Sequence, residues 1–365
     1  MRLLFIHTHI RQNCGISSLI RMQARALRAR GHDVHVAALE TQMARDYLGD
    51  AAPFIGLPID QYDKTVKNLL ASLSGLIKYI NQQQIDVVIA SHRWAGFISY
   101  LATRVTRSSL ISVDHNVLWG NKWLTFWGDG VVAVSKNSRQ HLIDYFDLPA
   151  AKIQLIQNAI VPVEQASVEA QQRLLDELDL QRDEHSPLLL TIGRLDEQKG
   201  LSYLLDAMPQ VRQKLPRARL LVVGTGELDA MLKAQAQSLG IGDQVIFTGL
   251  RSDVATFLSI ADLFLMPSLW EGLPISMLEA MSVGLPVVAT HVGGIPEVMA
   301  MSNSPAGIVV PPKESGPFGE AIVTLWQDEA YRSNAAMAAR LVVAEHFSIN
   351  KMVEQMETYL SQFAP

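Results

Sequence analysis

The sequence predicts an α/β protein built from two doubly wound parallel-sheet domains facing across a cleft. Three observations carry this. Short apolar runs of strand length alternate with amphipathic stretches of helical period. The alternation breaks into a polar, Gln/Glu-rich segment between residues 162 and 187 and then restarts. At 365 residues the chain is also long for a single hydrophobic core.

Taken in order, residues 3–6 read as a strand, His7 to Gly15 as a polar turn, 16–30 as an amphipathic helix closed by Gly31, and 34–39 as a second strand, together a βαβ unit. A helix over 66–80, a strand over 86–90, a helix over 95–104 and a strand over 110–113 follow. Strands over 131–134 and 153–156 flank a helix over 137–146. Strands alternating with helices imply a parallel sheet covered on both faces. Past a short helix at 169–178, the second alternation runs through strands at 188–192, 220–223, 245–248, 263–266, 286–289 and 307–310, with helices at 201–214 and 228–239. The segments 318–326, 330–344 and 349–363 read as closing helices. The predicted division is 1–165 and 166–345, with 346–365 returning to the first domain.

Composition narrows the function. A formal net charge of -5 argues against a general polyanion binder, so nucleic acid is not an expected partner. Cys14 is the only cysteine, which rules out an intramolecular disulfide or a thiolate-rich metal site and suits a reducing cytoplasm. The apolar run at the N-terminus is too short for a signal peptide, and no stretch of about 18 apolar residues offers a membrane span.

In open α/β sheets ligands gather beyond the carboxyl ends of strands, so the βα loops are where chemistry is expected. Glu271-Gly272-Leu273-Pro274-Ile275 follows the apolar run 263–266, with Pro274 placed as the first residue of a helix whose N-terminus suits an anion. Glu279 lies one turn on, and helical side chains lean back toward the N-terminus, so two acids bracket that anion site. In Gly193-Arg194-Leu-Asp-Glu-Gln-Lys199-Gly200, two cations stand at a strand's carboxyl end and suit a diphosphate, or else are solvated loop charges. Gly224-Thr-Gly226 lacks the third glycine of a dinucleotide fingerprint and reads as turn chemistry.

In the first half, Gly15 is a turn glycine or a ligand contact. His115, in Asp114-His115-Asn116, and His92 each follow a buried strand, as ligand contacts or as hydrogen-bonded structural histidines. Trp119, Trp123 and Trp127 recur every four residues, as one face of a short helix that is either core or an acceptor or membrane platform. Arg21, Arg25, Arg28 and Arg30 form a helix face that is solvated or meets anionic lipid.

Assembled, these pieces resemble the GT-B fold glycosyltransferases of family 4, retaining enzymes that use nucleotide sugars. The resemblance covers nearly the whole chain and is strongest over 188–298. It rests on the Gly193 to Gly200 loop, Leu221-Val-Val-Gly-Thr-Gly-Glu227, Phe247-Thr-Gly249, Pro267-Ser-Leu-Trp-Glu271-Gly-Leu-Pro, Glu279-Ala-Met, Gly284-Leu-Pro-Val-Val-Ala-Thr and Gly293-Gly-Ile-Pro-Glu297. It implies that Arg194 and Lys199 hold the donor diphosphate, that Glu279 meets the ribose, and that Glu271 contacts the donor sugar. Gly272, Leu273, Pro274 and Ile275 would shape the surrounding loop, with Gly249 and Gly15 completing the donor set. His115 would lie near the reacting carbon. His92, Asn116 and Trp119 are the acceptor-side candidates.

The chain departs from the family pattern at Cys14-Gly15, where two glycines are usual, and at Asn158-Ala159, where Asn-Gly is usual. The expected activity is transfer of a sugar from a nucleoside diphosphate sugar to a sugar, lipid-linked or small-molecule acceptor. No cofactor or divalent metal is expected. The expected location is cytoplasmic, with peripheral contact at the inner face of the membrane through the first domain. The competing readings are a nucleotide-sugar-binding protein without transferase activity, a nucleotide-sugar epimerase and, less well supported, a nicotinamide dehydrogenase.

Overall fold

The computed structural model describes residues 1–12, 14–117, 119–120, 122, 125–182, 185–302 and 304–364. The chain divides into two compact units, Met1–Ile160 with the segment from Ile349 onward, and Val161–Ser348.

The first unit runs β1 (Arg2–Ile6), α1 (Gly15–Ala29), β2 (Asp33–Leu39), α2 (Gln42–Leu48), β3 (Phe54–Leu57), α3 (Val66–Gln83), β4 (Val87–Ala90), α4 (Arg93–Thr103), β5 (Ser109–Asp114), β6 (Gly130–Ala133), α5 (Lys136–Asp144) and β7 (Ile153–Leu155). Its seven strands are all parallel, in the order β3-β2-β1-β4-β5-β6-β7. Strands such as β4 and β6 are buried along their whole length, as a sheet covered on both faces requires. The order reverses between β1 and β4, which pair in register from Leu3 opposite Val87 to Ile6 opposite Ala90.

The second unit runs α6 (Val168–Glu177), β8 (Leu188–Ile192), α7 (Leu201–Lys214), β9 (Arg219–Val223), α8 (Asp229–Ser238), β10 (Val245–Gly249), α9 (Val254–Ile260), β11 (Leu263–Met266), α10 (Ile275–Ser282), β12 (Val287–Thr290), α11 (Ile295–Met299), β13 (Gly307–Val310), α12 (Ser315–Gln327) and α13 (Glu329–His346). Its six parallel strands take the order β10-β9-β8-β11-β12-β13, with the reversal between β8 and β11. Leu189, Leu220, Leu265, Leu204, Met208 and Ile322 form part of the core between the strands and their covering helices. At about 25 cal/mol per Å² of apolar surface, burying one such side chain stabilises the fold by roughly 1.5–3 kcal/mol.

The last helix, α14 (Ile349–Leu360), belongs to the first unit. Glu357 joins it to Arg30 at 2.7 Å and to His32 at 2.6 Å. The Tyr359 hydroxyl accepts from the Val131 N–H at 3.1 Å and donates to the Lys152 carbonyl at 3.1 Å.

Several local expectations need correction. Helices α2, α9 and α11 and strand β3 were not foreseen; each spans only 4–7 residues, too few for a periodic signal. Pro274 is the N-cap of α10 rather than its first residue, with extended backbone at φ -75 and ψ 124. Trp123 lies outside the described residues, and around Trp119 and Trp127 the described backbone is irregular, not α-helical. Each of these two rings packs on α5 and its C-terminal flank. Trp119, 72% exposed, meets His141 and Tyr145 edge-on, and Trp127 meets Phe146. The arginine face of α1 is largely engaged within its own unit. Arg25 pairs with Asp50, Arg28 donates to the Asp50 and Ala51 carbonyls, Arg30 pairs with Glu357, and Arg21 lies over the Tyr47 ring. Among the described residues, no helix is long and apolar enough to cross a membrane.

Candidate functional site

In the second unit the polar residues gather where strand order reverses. Beyond β8 the chain continues through Gly193 and Arg194 into a short 3-10 turn, Glu197–Lys199, capped by the Asp196 side chain, which accepts the Lys199 N–H. Gly200 then takes the left-handed conformation at φ +61, where a Cβ would stand 2.2 Å from the Pro267 carbonyl oxygen. That contact brings the loop after β8 against the loop after β11. The Leu269 N–H donates to the Gln198 carbonyl at 2.8 Å across the same seam.

Glu271 is the buried centre of this seam, 5% exposed. Lys199 Nζ lies 2.6 Å from its Oε1, the Ser268 hydroxyl donates to the same oxygen at 2.8 Å, and Gln198 Nε2 reaches Oε2 at 3.4 Å. A buried carboxylate that meets a cation and two further donors is fixed in orientation. Gln198 in turn accepts from Arg194 at 3.1 Å, and Arg194 pairs with Asp196 at 2.8 Å. Arg194, Lys199 and Glu271 stand out in the sequence; Ser268 and Gln198 do not, and their spacing from the charged residues is the signal available.

Past Glu271, residues Gly272, Leu273, Pro274 and Ile275 are all buried, and the Gly294 N–H holds the Gly272 carbonyl at 2.7 Å. Helix α10 then begins without a side-chain cap, which leaves its first N–H groups open to an anion. Glu279 on that helix has no carboxylate hydrogen bond among the described residues, and desolvation pushes its pKa up to about 7. Gly249 ends β10 at φ +71, with no atom within 4 Å of where a Cβ would stand. Arg251 beside it pairs with Glu177 and with Asp253.

In the first unit a second polar group stands at the carboxyl ends of β1, β4 and β5. Gly15 is the exposed first residue of α1, whose N-cap Cys14 makes no side-chain cap bond. Asp114 closes β5, buried, and burial pushes its carboxyl up to about 7 against the opposing pull of Arg93. Desolvation brings His115 down to about 4, and neither of its ring nitrogens has a hydrogen-bond partner among the described residues. The Asn116 amide oxygen is likewise buried and unpartnered. His92 is the N-cap of α4, with Nδ1 accepting the Trp94 N–H at 3.1 Å; desolvation first, then Lys64, His9 and Arg93, lowers its pKa to about 4.

The sequence places His7 in a polar turn. It is 7% exposed, its ring is 5.7 Å from His92, and Nδ1 accepts the His9 N–H at 3.1 Å. Its Nε2 is buried without a partner. Leaving such a group unmet costs about 1–3 kcal/mol, so it calls for a partner. The rule that singled out His92 and His115, a polar residue just past a buried strand, applies equally to His7. Among the described residues, no three His, Cys, Asp or Glu side chains converge as a metal site.

Two doubly wound parallel-sheet units, with the ionic seam of Lys199 and Glu271 at the switch point of the second, have the architecture of the GT-B glycosyltransferases. The family model described as Glycosyltransferase Family 4 matches residues 14–163, and the one described as Glycosyl transferases group 1 matches 175–342. The chain belongs to this family of glycosyltransferases.

Among the relatives it is similar to are an uncharacterized glycosyltransferase of Methanocaldococcus jannaschii, 30% identical over 67% of this chain and 63% of that protein, and the UDP-Gal:alpha-D-GlcNAc-diphosphoundecaprenol alpha-1,3-galactosyltransferase of Escherichia coli, 23% identical over 89% and 88%. The matches to the first two curated relatives span less than two thirds of their length, 63% and 54%. The fold is shared with Anabaena HepE in complex with UDP-glucose, at a TM-score of 0.86 and 22% identity over 99% of this chain and 100% of that one.

Proposed function

We propose that the chain transfers a sugar, with retained anomeric configuration, from a nucleoside diphosphate sugar to a hydroxyl of a sugar, lipid-linked or small-molecule acceptor in glycan, lipopolysaccharide or glycolipid biosynthesis. The observation that carries the reading is the buried Lys199–Glu271 pair, with Arg194 beside it and the open start of α10 following in the same loop. A UDP sugar is the first donor to test, supported by the names of the Escherichia coli relative and of the HepE complex.

The reaction must stabilise a departing diphosphate while positive character builds on the sugar ring. Arg194, Lys199 and the first N–H groups of α10 supply that stabilisation as fixed donors, and no divalent metal is needed. Glu271, released from Lys199 as the diphosphate takes the cation, accepts from donor-sugar hydroxyls. Glu279 accepts from the ribose. Gly249 and Gly15 let backbone approach the nucleotide and phosphates, and Gly272, Leu273, Pro274 and Ile275 set the loop. His115 meets the donor sugar near the reacting carbon. His92, Asn116 and Trp119 belong to the acceptor side. The acceptor attacks from the face the phosphate leaves, and the phosphate takes its proton. The protein works in the cytoplasm, with peripheral contact at the membrane's inner face through the first unit.

Thermal unfolding with a panel of UDP, GDP and ADP sugars, followed by transfer assays with the best donor, tests this. Stabilisation by one donor and acceptor-dependent release of its nucleotide are the expected results. Donor binding without transfer or hydrolysis would leave a nucleotide-sugar-binding protein, and donor isomerisation without an acceptor would identify an epimerase.

A further inference from the structure

The switch point of the first sheet carries a feature that the donor reading does not use. β1 and β4 are hydrogen-bonded neighbours, and the residue just past β1 and the second past β4 are both histidines, His7 and His92, with rings 5.7 Å apart. In each, Nδ1 already accepts a backbone N–H, from His9 and from Trp94 respectively, both at 3.1 Å. An imidazole whose Nδ1 is an acceptor carries its proton on Nε2. The backbone therefore fixes both rings in one tautomer, presenting two Nε2–H donors, of which that of His7 is buried and unmet.

Two such groups can only donate, so their natural partner is an atom that only accepts. The charged and titratable groups acting on the two rings are Arg11, Lys64, Arg93 and the other imidazoles; the nearby carboxylate Asp60 acts on His9, 3.5 Å away, and Asp114 on Arg93. Among the described residues neither Arg11 nor Lys64 makes an ion pair with a carboxylate. A hydroxyl would answer the donors but not that field, whereas an oxyanion answers both. His92, the N-cap of α4, also places the positive end of that helix here.

We infer that the carboxyl ends of β1 and β4 form an oxyanion seat, in which the Nε2–H groups of His7 and His92 hold a phosphate or carboxylate carried by the acceptor. The inference deepens the transferase reading and rests on it for the word acceptor. The seat itself is a property of the first unit and is testable without donor. His92 is the partly exposed ring and His7 the buried one, so the ligand enters past His92.

The test uses the full-length Lys199→Ala protein, which weakens the proposed diphosphate clamp as a competing anion site. Its histidine side-chain ¹⁵N resonances are followed on titration with methyl phosphate, acetate or methyl α-glucoside. His7→Asn and His92→Asn, added to that protein, assign the signals; asparagine keeps an acceptor for the backbone N–H and removes the Nε2 donor. One or both anions should move the His7 and His92 Nε2 signals saturably, with affinity falling on the order of tenfold in either added variant. Three outcomes would overturn the seat: an equal response to methyl α-glucoside, no response to any of the three, or anion binding unchanged in both variants. Absence of transfer by the wild-type protein from every donor tested, with an intact anion response, would instead count against the donor reading alone.

Discussion

Lys199 Nζ stands 2.6 Å from Glu271 Oε1, and this contact ties the loop after β8 to the loop after β11 at the switch point of the second sheet. Both side chains are mostly buried, 17% and 7% exposed, so the pair is not a solvent-screened surface bridge. On the proposed donor role, the same lysine leaves the carboxylate for a phosphate. Lys199→Ala should therefore do two separable things. Turnover should fall on the order of 10²–10³-fold, the usual cost of one missing preorganised donor. Stability should fall by about 3–5 kcal/mol, because Glu271 is left buried with only Ser268 and Gln198. Adding Glu271→Gln to that variant should recover much of the stability and none of the turnover. Wild-type turnover in Lys199→Ala would remove the lysine from the mechanism.

The backbone behind Glu271 is as constrained as its side chain. At Gly293, φ is +55 and a Cβ would lie 2.0 Å from the Glu271 carbonyl oxygen. At Gly249, φ is +71 but the space is open. Gly249→Ala should cost only the left-handed conformation, about 1–2 kcal/mol. Gly293→Ala adds a backbone clash and should cost clearly more, with a larger loss of UDP affinity. Equal unfolding temperatures for the two variants would show that the loop holding Glu271 yields easily.

A chelator tests the charge argument from the other side. If Arg194, Lys199 and the start of α10 neutralise the leaving diphosphate, EDTA should leave kcat unchanged. A loss restored by added Mg²⁺ or Mn²⁺ would mean that a cation shares that work.

The sheets are legible because most of the buried parallel strands are short, largely apolar runs, which also locates the loops that follow them. Arg194, Lys199 and Glu271 lie in those loops, and the structure brings Lys199 and Glu271 into contact. What stayed hidden has physical reasons. β3 is four residues between Pro53 and Pro58, too short a run to carry a strand signal. The four-residue spacing of the tryptophans mimicked a helix, although Trp119 and Trp127 are placed by contacts with α5 and the residues after it, partners distant in sequence. His7 was overlooked because one polar residue after β1 does not announce a partner past β4, 85 positions later, and only the strand order makes them neighbours.

Glu279 supplies a pH dependence whose sign can be worked out. Burial raises its pKa from the ordinary 4.5 to about 7. Between those values the folded chain holds a proton that the unfolded chain has released, so stability falls as pH rises through this window. Above about 7 both states are ionised and the cost remains in full. Relative to Glu279→Gln, the wild-type protein should lose unfolding temperature steadily from pH 4.5 to 7 and then stay level. Donor binding should run the opposite way. If Glu279 meets the ribose as proposed, the hydroxyls donating to it favour its ionised form, so UDP should bind with release of a proton, and more tightly at pH 8 than at pH 5.5. In Glu279→Gln that rise should flatten. A UDP affinity that climbs with pH identically in both proteins would detach Glu279 from the ribose, even if its effect on stability held.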